Sequence, residues 1–268
     1  MKRSSVLLLL CCSLLLPMPA VARLPGPLQA APAGKVRDLT EIRSSRVLRV
    51  LVNQSRNSSG EVQGQAIGVE YHRLRAFEQY LNGYARDGQE VTLKIIPKAK
   101  DQLLGALQRG EGDVVAPGEL LDMQAGQAVS TSEPIASGIP LVLVGRKGER
   151  SYTRLEQLSG KTLALPTGSA AGDAVSQINQ KLALHKLPPV KIEWVDPTLA
   201  VEDVLEMVQG GIFHLTIVEQ PIAERWGKIL PKLRFDRQVL ISDAEHAEVP
   251  FLPDDRRTPH VRHWHKYF

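Results

Sequence analysis

The chain has 268 residues, of which 43% are hydrophobic, and a formal net charge of +4. This length suits one large domain or two lobes of ordinary size. Loss of an N-terminal signal that carries Lys2 and Arg3 lowers the net charge from +4 to +2, so the charge gives no support for a nucleic-acid partner. Both cysteines, Cys11 and Cys12, lie inside that signal, which excludes disulfides, thiol catalysis and thiolate metal sites from the mature chain.

Residues 1–22 have the features of a secretory signal peptide. A basic start at Lys2 and Arg3 precedes the apolar run Val6 to Leu16, which is too short to span a bilayer as a helix. The run is followed by Ala20-Val21-Ala22, which matches an A-x-A cleavage site. We therefore expect cleavage after Ala22 and a mature protein in the periplasm.

Residues 23–45 are predicted to be a leader, flexible where Pro, Ala and Gly dominate and with a short helix near its end. Lobe one is predicted at 46–130, where strands and helices alternate. In chain order these are the strand Val47–Val52, the helix Tyr71–Leu81, the strand Val91–Ile96, the helix Gln102–Arg109 and the strand Asp113–Ala116.

A polar hinge at 131–138 leads into lobe two, predicted at 139–231, with the same alternation. Its elements are the strands Ile139–Val144 and Thr162–Leu165, a helix that ends near Leu184, the strand Lys191–Val195, the helix Ala200–Val208 and the strand Leu215–Val218. Alternating apolar residues at 232–241 predict a strand that crosses back to lobe one.

The tail at 242–268 resembles neither lobe. Pro250, Pro253 and Pro259 exclude a long helix, and apolar periodicity is absent, so disorder is favoured. Two interpretations stay open: the tail completes lobe one, or the chain is a truncated fragment.

One stretch of sequence occurs twice. Leu104–Ala116 and Leu205–Ile217 align at an offset of 101, with Gly110 matching Gly211. Each copy has the pattern of a helix that ends at a glycine and is followed by a short buried strand. The repeat predicts two similar α/β lobes.

Four segments, in order, resemble the family 3 extracellular solute-binding proteins. They are Gly68-Val69-Glu70-Tyr71, Leu104–Ala116, Ser132-Glu133-Pro134 and Leu155–Ala170. Within that family the chain looks most similar to the solute-binding-like half of membrane-bound lytic transglycosylase F. The resemblance implies a two-lobed α/β fold of the type II periplasmic-binding-protein kind, with a hinge between the lobes.

The resemblance also implies a site between the lobes, built from loops at the ends of strands. The candidate ligand-binding residues are Asn53, Ser55, Glu70, Pro117, Gly118, Glu119, Ser132, Thr167, Gly168, Ser169, Ala170 and Glu219. The loop Thr167-Gly168-Ser169 precedes a helix, so its backbone N–H groups and hydroxyls could bind an anionic group. The alternative is a helix N-terminus without a ligand.

The expected site is acidic. In the family an Arg ahead of the S-x-P segment holds the carboxylate of an amino acid, but residues 119–132 contain no Arg or Lys. The family's amine-binding Asp corresponds to Glu219. We therefore predict a site without a base, which does not bind ordinary α-amino acids tightly and favours a cationic or polyhydroxylated solute such as a polyamine or a muropeptide.

The sequence thus predicts a non-enzymatic periplasmic solute-binding protein that serves a transporter or a sensor. The alternative is a truncated or catalytically inactive relative of lytic transglycosylase F that binds peptidoglycan fragments, because no Glu-Ser helix start is present to carry a catalytic acid. No catalytic residue, cofactor or metal site is predicted. His260, His263 and His265 are interpreted as part of a basic tail rather than as metal ligands.

Overall fold

The computed structural model describes residues 37–123, 129–131, 139–240, 243–244 and 250–251. The predicted signal peptide, most of the leader, Ser132 in the predicted hinge and almost all of the tail lie outside the described residues. The predictions about those segments stay predictions.

Six α-helices occur in the described part of the chain. They are α1 (Leu39–Ser45), α2 (Val69–Asn82), α3 (Leu103–Gln108), α4 (Ala171–Leu184), α5 (Val201–Gly210) and α6 (Gln220–Trp226). Single turns of 3-10 helix lie at Lys100–Gln102 and Leu155–Leu158.

The strands of the first half are β1 (Val47–Asn53), β2 (Gly60–Val62), β3 (Gln65–Ile67), β4 (Thr92–Lys98), β5 (Val114–Ala116) and β6 (Ser130–Thr131). Those of the second half are β7 (Ile139–Arg146), β8 (Thr162–Leu165), β9 (Lys191–Trp194), β10 (Thr216–Glu219), β11 (Leu233–Asp236), β12 (Asp243–Ala244) and β13 (Pro250–Phe251).

The sheet of lobe one has the strand order β4-β1-β5-β13-β6. Strands β4, β1 and β5 are parallel, with Val50 opposite both Ile95 and Val114. Alternate residues of β1 enter two different cores: Val50 packs in the cluster that contains Phe77 of α2, and Leu51 packs in the cluster that holds α3. This alternation explains why β1 is apolar almost throughout, as expected of a strand covered on both faces.

The sheet of lobe two is built around β7, which pairs antiparallel with β10 and β11. A parallel pair, β8 with β9, joins β10 through hydrogen bonds from Ala164 N–H to Leu215 O (2.9 Å) and from Thr216 Oγ1 to Ala164 O (2.6 Å). Leu143 packs with α4 on one face, and Val144 packs with α5 and α6 on the other.

The two lobes share one internal order, so the predicted two-lobed α/β fold is confirmed. Lobe one runs β1-α2-β4-α3-β5, and lobe two runs β8-α4-β9-α5-β10. Gly110 (φ 71°) and Gly211 (φ 80°) are both left-handed and follow α3 and α5. Their N–H groups donate to the carbonyls of Leu107 and Val208, which are also 101 residues apart. Glycine adopts this conformation without the clash that a Cβ would cause.

A second pair of residues, which was not predicted from the sequence, repeats between the lobes. Asn82, at the end of α2, donates to Val91 O (2.8 Å) and accepts from Val91 N–H (2.8 Å). Asn179 of α4 makes the same two bonds with Val190, at 3.0 and 2.7 Å. Each asparagine therefore fixes the long helix of its lobe to the residue that leads into the next strand.

The predicted return crossing at 232–241 is wrong in its first part. Residues Leu233–Asp236 form β11 and pair with β7, so the chain is still in lobe two there. Leu233 is buried with Trp226, which explains the alternating apolar pattern without a crossing. Val239 and Leu240 are also buried in a lobe-two cluster.

The chain reaches the first sheet later than predicted. Strand β12 pairs with the start of β7, and β13 pairs antiparallel with β5 and β6. Part of the predicted tail thus adds a strand to lobe one. Pairing over two residues needs no apolar periodicity, so the sequence pattern could not reveal it.

The end of the predicted leader is folded onto lobe one. The side chain of Asp38 accepts from Glu41 N–H (2.7 Å) and starts α1, whose Ile42 is buried in the core of that lobe. Arg37 and Arg49 both pair with Asp113, whose side chain is 2% exposed. The short helix predicted at the end of the leader is therefore confirmed as α1.

Candidate functional site

Loops at the carboxyl ends of strands from both lobes meet in one buried polar cluster. From lobe one come the residues after β1, including Ser55 and Asn57, then Lys100 after β4 and Glu119 after β5. From lobe two comes Glu219, the last residue of β10. The ends of parallel strands are the usual place for a ligand in open α/β sheets.

Glu119 is the centre of this cluster, and its side chain is fully buried. Its Oε1 accepts hydrogen bonds from Asn57 Nδ2 (2.9 Å), Ser58 Oγ (3.1 Å) and, more weakly, Ser55 Oγ (3.4 Å). Its Oε2 lies 2.5 Å from the ammonium of Lys100. The neutral donors therefore hold one carboxylate oxygen, and the other faces a cation.

Lys100 has only 8% of its side chain exposed. Burial lowers the pKa of its ammonium, but the negative charges of Glu119, Glu219 and Glu202 outweigh burial and raise the pKa above its usual value. The ammonium is therefore charged at neutral pH although it is buried, because Glu119 contacts it and the negative charges of Glu219 and Glu202 add to this effect.

Glu202 of α5 reaches from lobe two toward the loop after β1. It accepts hydrogen bonds from Ser55 Oγ (2.8 Å) and from Arg56 N–H (2.6 Å), and burial raises the pKa of its carboxyl group. The Arg56 guanidinium also pairs with Asp203 (3.1 Å) and Glu206 (3.0 Å). The first turns of α5 thus bind lobe one through several charged contacts.

Two further contacts join the lobes beside Glu119. Asn57 Oδ1 accepts from Arg225 Nη2 (2.8 Å) and from the indole Nε1 of Trp226 (3.2 Å), both on α6. Burial lowers the pKa of Arg225, and the charge of nearby Arg73 lowers it further. Asn57 therefore holds Glu119 with its amide nitrogen and α6 with its amide oxygen.

Glu219 accepts a hydrogen bond from Leu120 N–H (3.0 Å), and burial raises the pKa of its carboxyl group. The side chain of Leu120 packs in the apolar cluster of lobe two that contains Leu165 and Ala170. The loop after β5 therefore reaches into lobe two with both its backbone and an apolar side chain.

In the loop Thr167–Ala170 the hydroxyl of Thr167 is used as a donor within lobe two, whereas that of Ser169 is used as an acceptor. Thr167 Oγ1 donates to Val195 O (2.7 Å), and Ser169 Oγ accepts from Ala171 N–H (3.2 Å). Gly168 O accepts from Asp122 N–H (3.0 Å), so this loop binds lobe one through its backbone. The alternative from the sequence, a helix N-terminus without an anion, fits these contacts better.

The remaining predicted residues lie at the edges of the cluster. Asn53 is buried, and its Nδ2 has no hydrogen-bond partner among the described residues. Glu70 is buried, pairs with Arg73 (3.3 Å) and has its pKa raised by burial. Gly118 is left-handed (φ 68°), and a Cβ added to it would lie 3.2 Å from the Glu70 side chain. Pro117 is buried. Ser132 lies outside the described residues.

The prediction of a site without a base was wrong. Lys100 and Arg225 both reach the cluster, from segments outside residues 119–132. The signal for Lys100 was available, since it follows β4 at the same edge of the sheet as Asn53 and Pro117. Nothing in the local pattern around Glu202 or Asn57 distinguishes them from surface residues of a helix start and a polar loop.

The described residues contain no helix that is long and apolar enough for a membrane span. They also contain no group of three or more His, Cys, Asp or Glu residues arranged to hold a metal ion. Both statements concern the described part of the chain.

No family model matches the chain. Curated relatives include the membrane-bound lytic murein transglycosylase F of Histophilus somni strain 2336, 30% identical over 151 residues, which cover 56% of this chain and 28% of the relative. The protein of that name from Ectopseudomonas mendocina is 26% identical over 182 residues, covering 68% and 34%. That from Desulfosudis oleivorans is 24% identical over 204 residues, covering 74% and 40%. The chain thus spans less than half the length of these relatives.

Solved structures share the fold over most of the chain. An ancestral arginine-binding protein bound to arginine has a TM-score of 0.64 at 17% identity, over 82% of this chain and 91% of that one. The holo arginine-binding protein of T. maritima has a TM-score of 0.63 at 20% identity, over 81% and 88%. The substrate-binding protein of an amino acid ABC transporter also has a TM-score of 0.63, at 19% identity, over 82% and 92%. The resemblance to two-lobed solute-binding proteins is therefore confirmed at the level of the fold.

Proposed function

We propose that this chain is a periplasmic solute-binding protein that captures a small polar solute between its two lobes and delivers it to a transporter or a sensor, without catalysis. The observation that carries the proposal is the buried polar cluster around Glu119, to which both lobes contribute at the ends of their strands. Groups of this kind are costly to bury without partners, so their convergence in one place favours a recognition site over a core.

The charge of the cluster favours a cationic solute. Glu119 contacts Lys100, Ser55 links Glu119 to Glu202, and Glu219 binds the N–H of the residue after Glu119. Three carboxyl groups therefore lie in the cluster with one ammonium. A polyamine, or a muropeptide with a free amino group, supplies the missing positive charge. The two arginines that reach the cluster are both engaged, since Arg225 donates to Asn57 and Arg56 pairs with the acids of α5. Arg56 is held by those acids and Arg225 by the Asn57 amide, and we propose that neither clamps an α-carboxylate, so tight binding of ordinary α-amino acids is not expected.

A second candidate function rests on the sequence relatives rather than on the site. The curated proteins of similar sequence are lytic murein transglycosylases, and the chain covers 28–40% of their length. A relative of that part of the enzyme, without catalytic activity, would bind peptidoglycan fragments between the same lobes. A peptidoglycan digestion assay separates a binder from an active enzyme.

A thermal-shift screen tests the proposal. The panel contains the common amino acids, putrescine, spermidine and purified muropeptides, and each hit is confirmed by calorimetry on the same protein preparation. We expect at least one cationic compound to raise the Tm by several degrees and no ordinary α-amino acid to bind below micromolar Kd. A folded protein that responds to no member of the panel would contradict the proposal, and release of soluble fragments from peptidoglycan would contradict its non-enzymatic part.

A further inference from the structure

Lys100 takes up the place in the cluster where a bound cation is expected. Its ammonium is 2.5 Å from Glu119 Oε2, and both side chains are almost or fully buried. Among the described residues, no other group hydrogen-bonds to that oxygen. The other oxygen of Glu119, Oε1, already accepts hydrogen bonds from three side chains of the loop after β1. The carboxylate is therefore oriented by residues other than Lys100.

The other two carboxylates are held in the same manner. Glu219 accepts from Leu120 N–H, and Glu202 accepts from Ser55 Oγ and Arg56 N–H. These bonds do not involve Lys100, so we expect them to orient the three carboxylates when its ammonium is absent; the Arg56 guanidinium also lies 3.8 Å from Glu202 Oε1. Three oriented carboxylates without a central cation form a binding site for one.

The position of Lys100 on a short turn would allow a solute to displace its ammonium from the cluster. The residue belongs to a single 3-10 turn that follows β4, and Gly168 of lobe two approaches the same turn so closely that a Cβ added to this glycine would lie 3.3 Å from Lys100 Cγ. A long flexible side chain on a short turn can leave the cluster without unfolding a helix or a strand. The Nδ2 of buried Asn53, at the end of β1, is a further donor that the contacts among the described residues leave unused.

We propose that Glu119, Glu202 and Glu219 form a subsite for a primary ammonium group, and that Lys100 is its built-in occupant when no solute is bound. Cationic solutes compete with Lys100 for this subsite, so Lys100 sets the affinity and the selectivity of the site. The inference rests on the proposed function because it concerns the same cluster. It differs from a role in which Lys100 stays in place and binds an anionic part of the solute.

Chemical complementation tests the subsite without any knowledge of the natural solute. Lys100→Ala removes three methylenes and the ammonium, and n-propylammonium chloride supplies the same atoms. The matched control is Lys98→Ala, which removes a more accessible lysine that pairs with Glu111 outside the cluster. Sodium chloride at equal ionic strength and propan-1-ol are the control solutes.

We expect Lys100→Ala to lower the Tm by about 10 °C, from the usual cost of breaking a buried ion pair and the usual Tm shift per unit of stability. Millimolar n-propylammonium should restore at least half of that loss, whereas sodium chloride and propan-1-ol should not. Wild type and Lys98→Ala should show no specific response to n-propylammonium. Equal responses of Lys100→Ala and Lys98→Ala would overturn the inference.

A second measurement covers the case in which Lys100→Ala does not fold. Lys100→Met keeps the volume of the stem and removes the charge, and calorimetry then measures its affinity for 1,4-diaminobutane. We expect at least a tenfold tighter Kd than in wild type, and loss of that gain in Lys100→Met/Glu219→Gln. An unchanged or weaker Kd in Lys100→Met contradicts the inference. The complementation result does not depend on the proposed function, since Lys100→Ala can respond to n-propylammonium even if the wild type binds no solute.

Discussion

The indole Nε1–H of Trp226 donates to Asn57 Oδ1 across the two lobes, at 3.2 Å. Trp226 is 7% exposed and lies beneath the guanidinium of Arg56, 5.5 Å from the ring centroid. Both partners of the indole belong to the opposite lobe, so the surroundings of Trp226 depend on whether the lobes touch.

Trp226 should therefore report lobe closure by fluorescence. The chain has three tryptophans, so Trp226 is the only one left in the double variant Trp194→Phe/Trp264→Phe. We expect a blue-shifted emission maximum in the closed protein and a red shift when the lobes separate and the ring meets water. Small-angle scattering measures the separation of the lobes in parallel. An emission maximum that does not move when scattering detects a change in that separation would contradict this prediction.

Asn57→Ala should weaken closure and lower stability. The substitution leaves Glu119, Arg225 and Trp226 each without one partner, so we expect the free energy of unfolding to fall by about 1–3 kcal/mol. Urea unfolding of Asn57→Ala and of the exposed control Gln177→Ala measures the difference. A loss no larger than that of the control would show that Asn57 does not join the lobes.

Closure should strengthen as the pH falls from neutral. Burial raises the pKa of Glu202 and of Glu219, whereas separated lobes return both carboxyl groups toward about 4.3. The closed form then binds more protons, so its advantage is greatest near and below the ordinary pKa and is lost as the pH rises through the raised values. Lys100 has a raised pKa and stays charged throughout this range.

The emission of Trp226, followed from pH 8 to pH 5, measures this dependence. We expect a progressive blue shift toward pH 5, reduced in Glu202→Gln/Glu219→Gln. A red shift on acidification would contradict the assigned direction, because it would mean that the open form binds the protons.

Asp113→Asn should destabilise lobe one at neutral pH. The carboxylate pairs with Arg37 and Arg49; burial opposes its ionisation, but the hydrogen bonds to the two arginines lower its pKa overall. A lowered carboxyl pKa stabilises the fold above about pH 4 and ceases to do so as the pH falls through the folded value. We expect a loss of about 2–3 kcal/mol at pH 7, since the two arginines keep some access to water.

Urea unfolding at pH 7 and at pH 3 checks the size and the pH dependence of that loss. The exposed Asp87→Asn serves as the control. The loss caused by Asp113→Asn should shrink at pH 3, because this pH lies below the ordinary Asp pKa of about 3.9 and the carboxyl group of the unfolded chain then binds a proton. A loss of equal size at both pH values would point to packing rather than to charge.

Gly110→Ala and Gly211→Ala should each lower stability by about 1–2 kcal/mol, because both residues are left-handed and a Cβ is disfavoured there. The control is Gly83→Ala after α2, where φ is −58° and the nearest atom to an added Cβ is 3.5 Å away. We expect the control to be neutral or slightly stabilising. Equal effects at the three glycines would contradict the equivalence of the two helix ends.

The sequence predicted the fold well because helices and buried strands have local signatures. The apolar run of β1, the spacing of Leu74 and Phe77 in α2 and the glycines that end α3 and α5 are all visible in neighbouring residues. The position of β11 depends on its pairing with the distant strand β7, which its own residues do not reveal. Strand β13 has only two residues and therefore no apolar pattern to detect.

The site was predicted only in part, for the same reason. Rules for strand ends correctly brought Ser55, Glu119 and Glu219 to one cluster, although their role in binding stays a prediction. They could not show that Thr167 would use its hydroxyl on Val195, or that Glu202 would turn toward Ser55. The first contact depends on how two strand ends of lobe two lie against each other, and the second on how the two lobes meet. No short stretch of sequence contains that information.

The most direct test of a cationic solute site between the lobes is calorimetry of wild type and Glu219→Gln against the compounds that raise the Tm, with Glu156→Gln, an exposed residue of lobe two, as the control. The account predicts binding of a cationic compound to wild type and to Glu156→Gln with the same Kd, and at least a tenfold weaker Kd in Glu219→Gln. Equal Kd values in all three proteins would place the solute elsewhere and contradict the account.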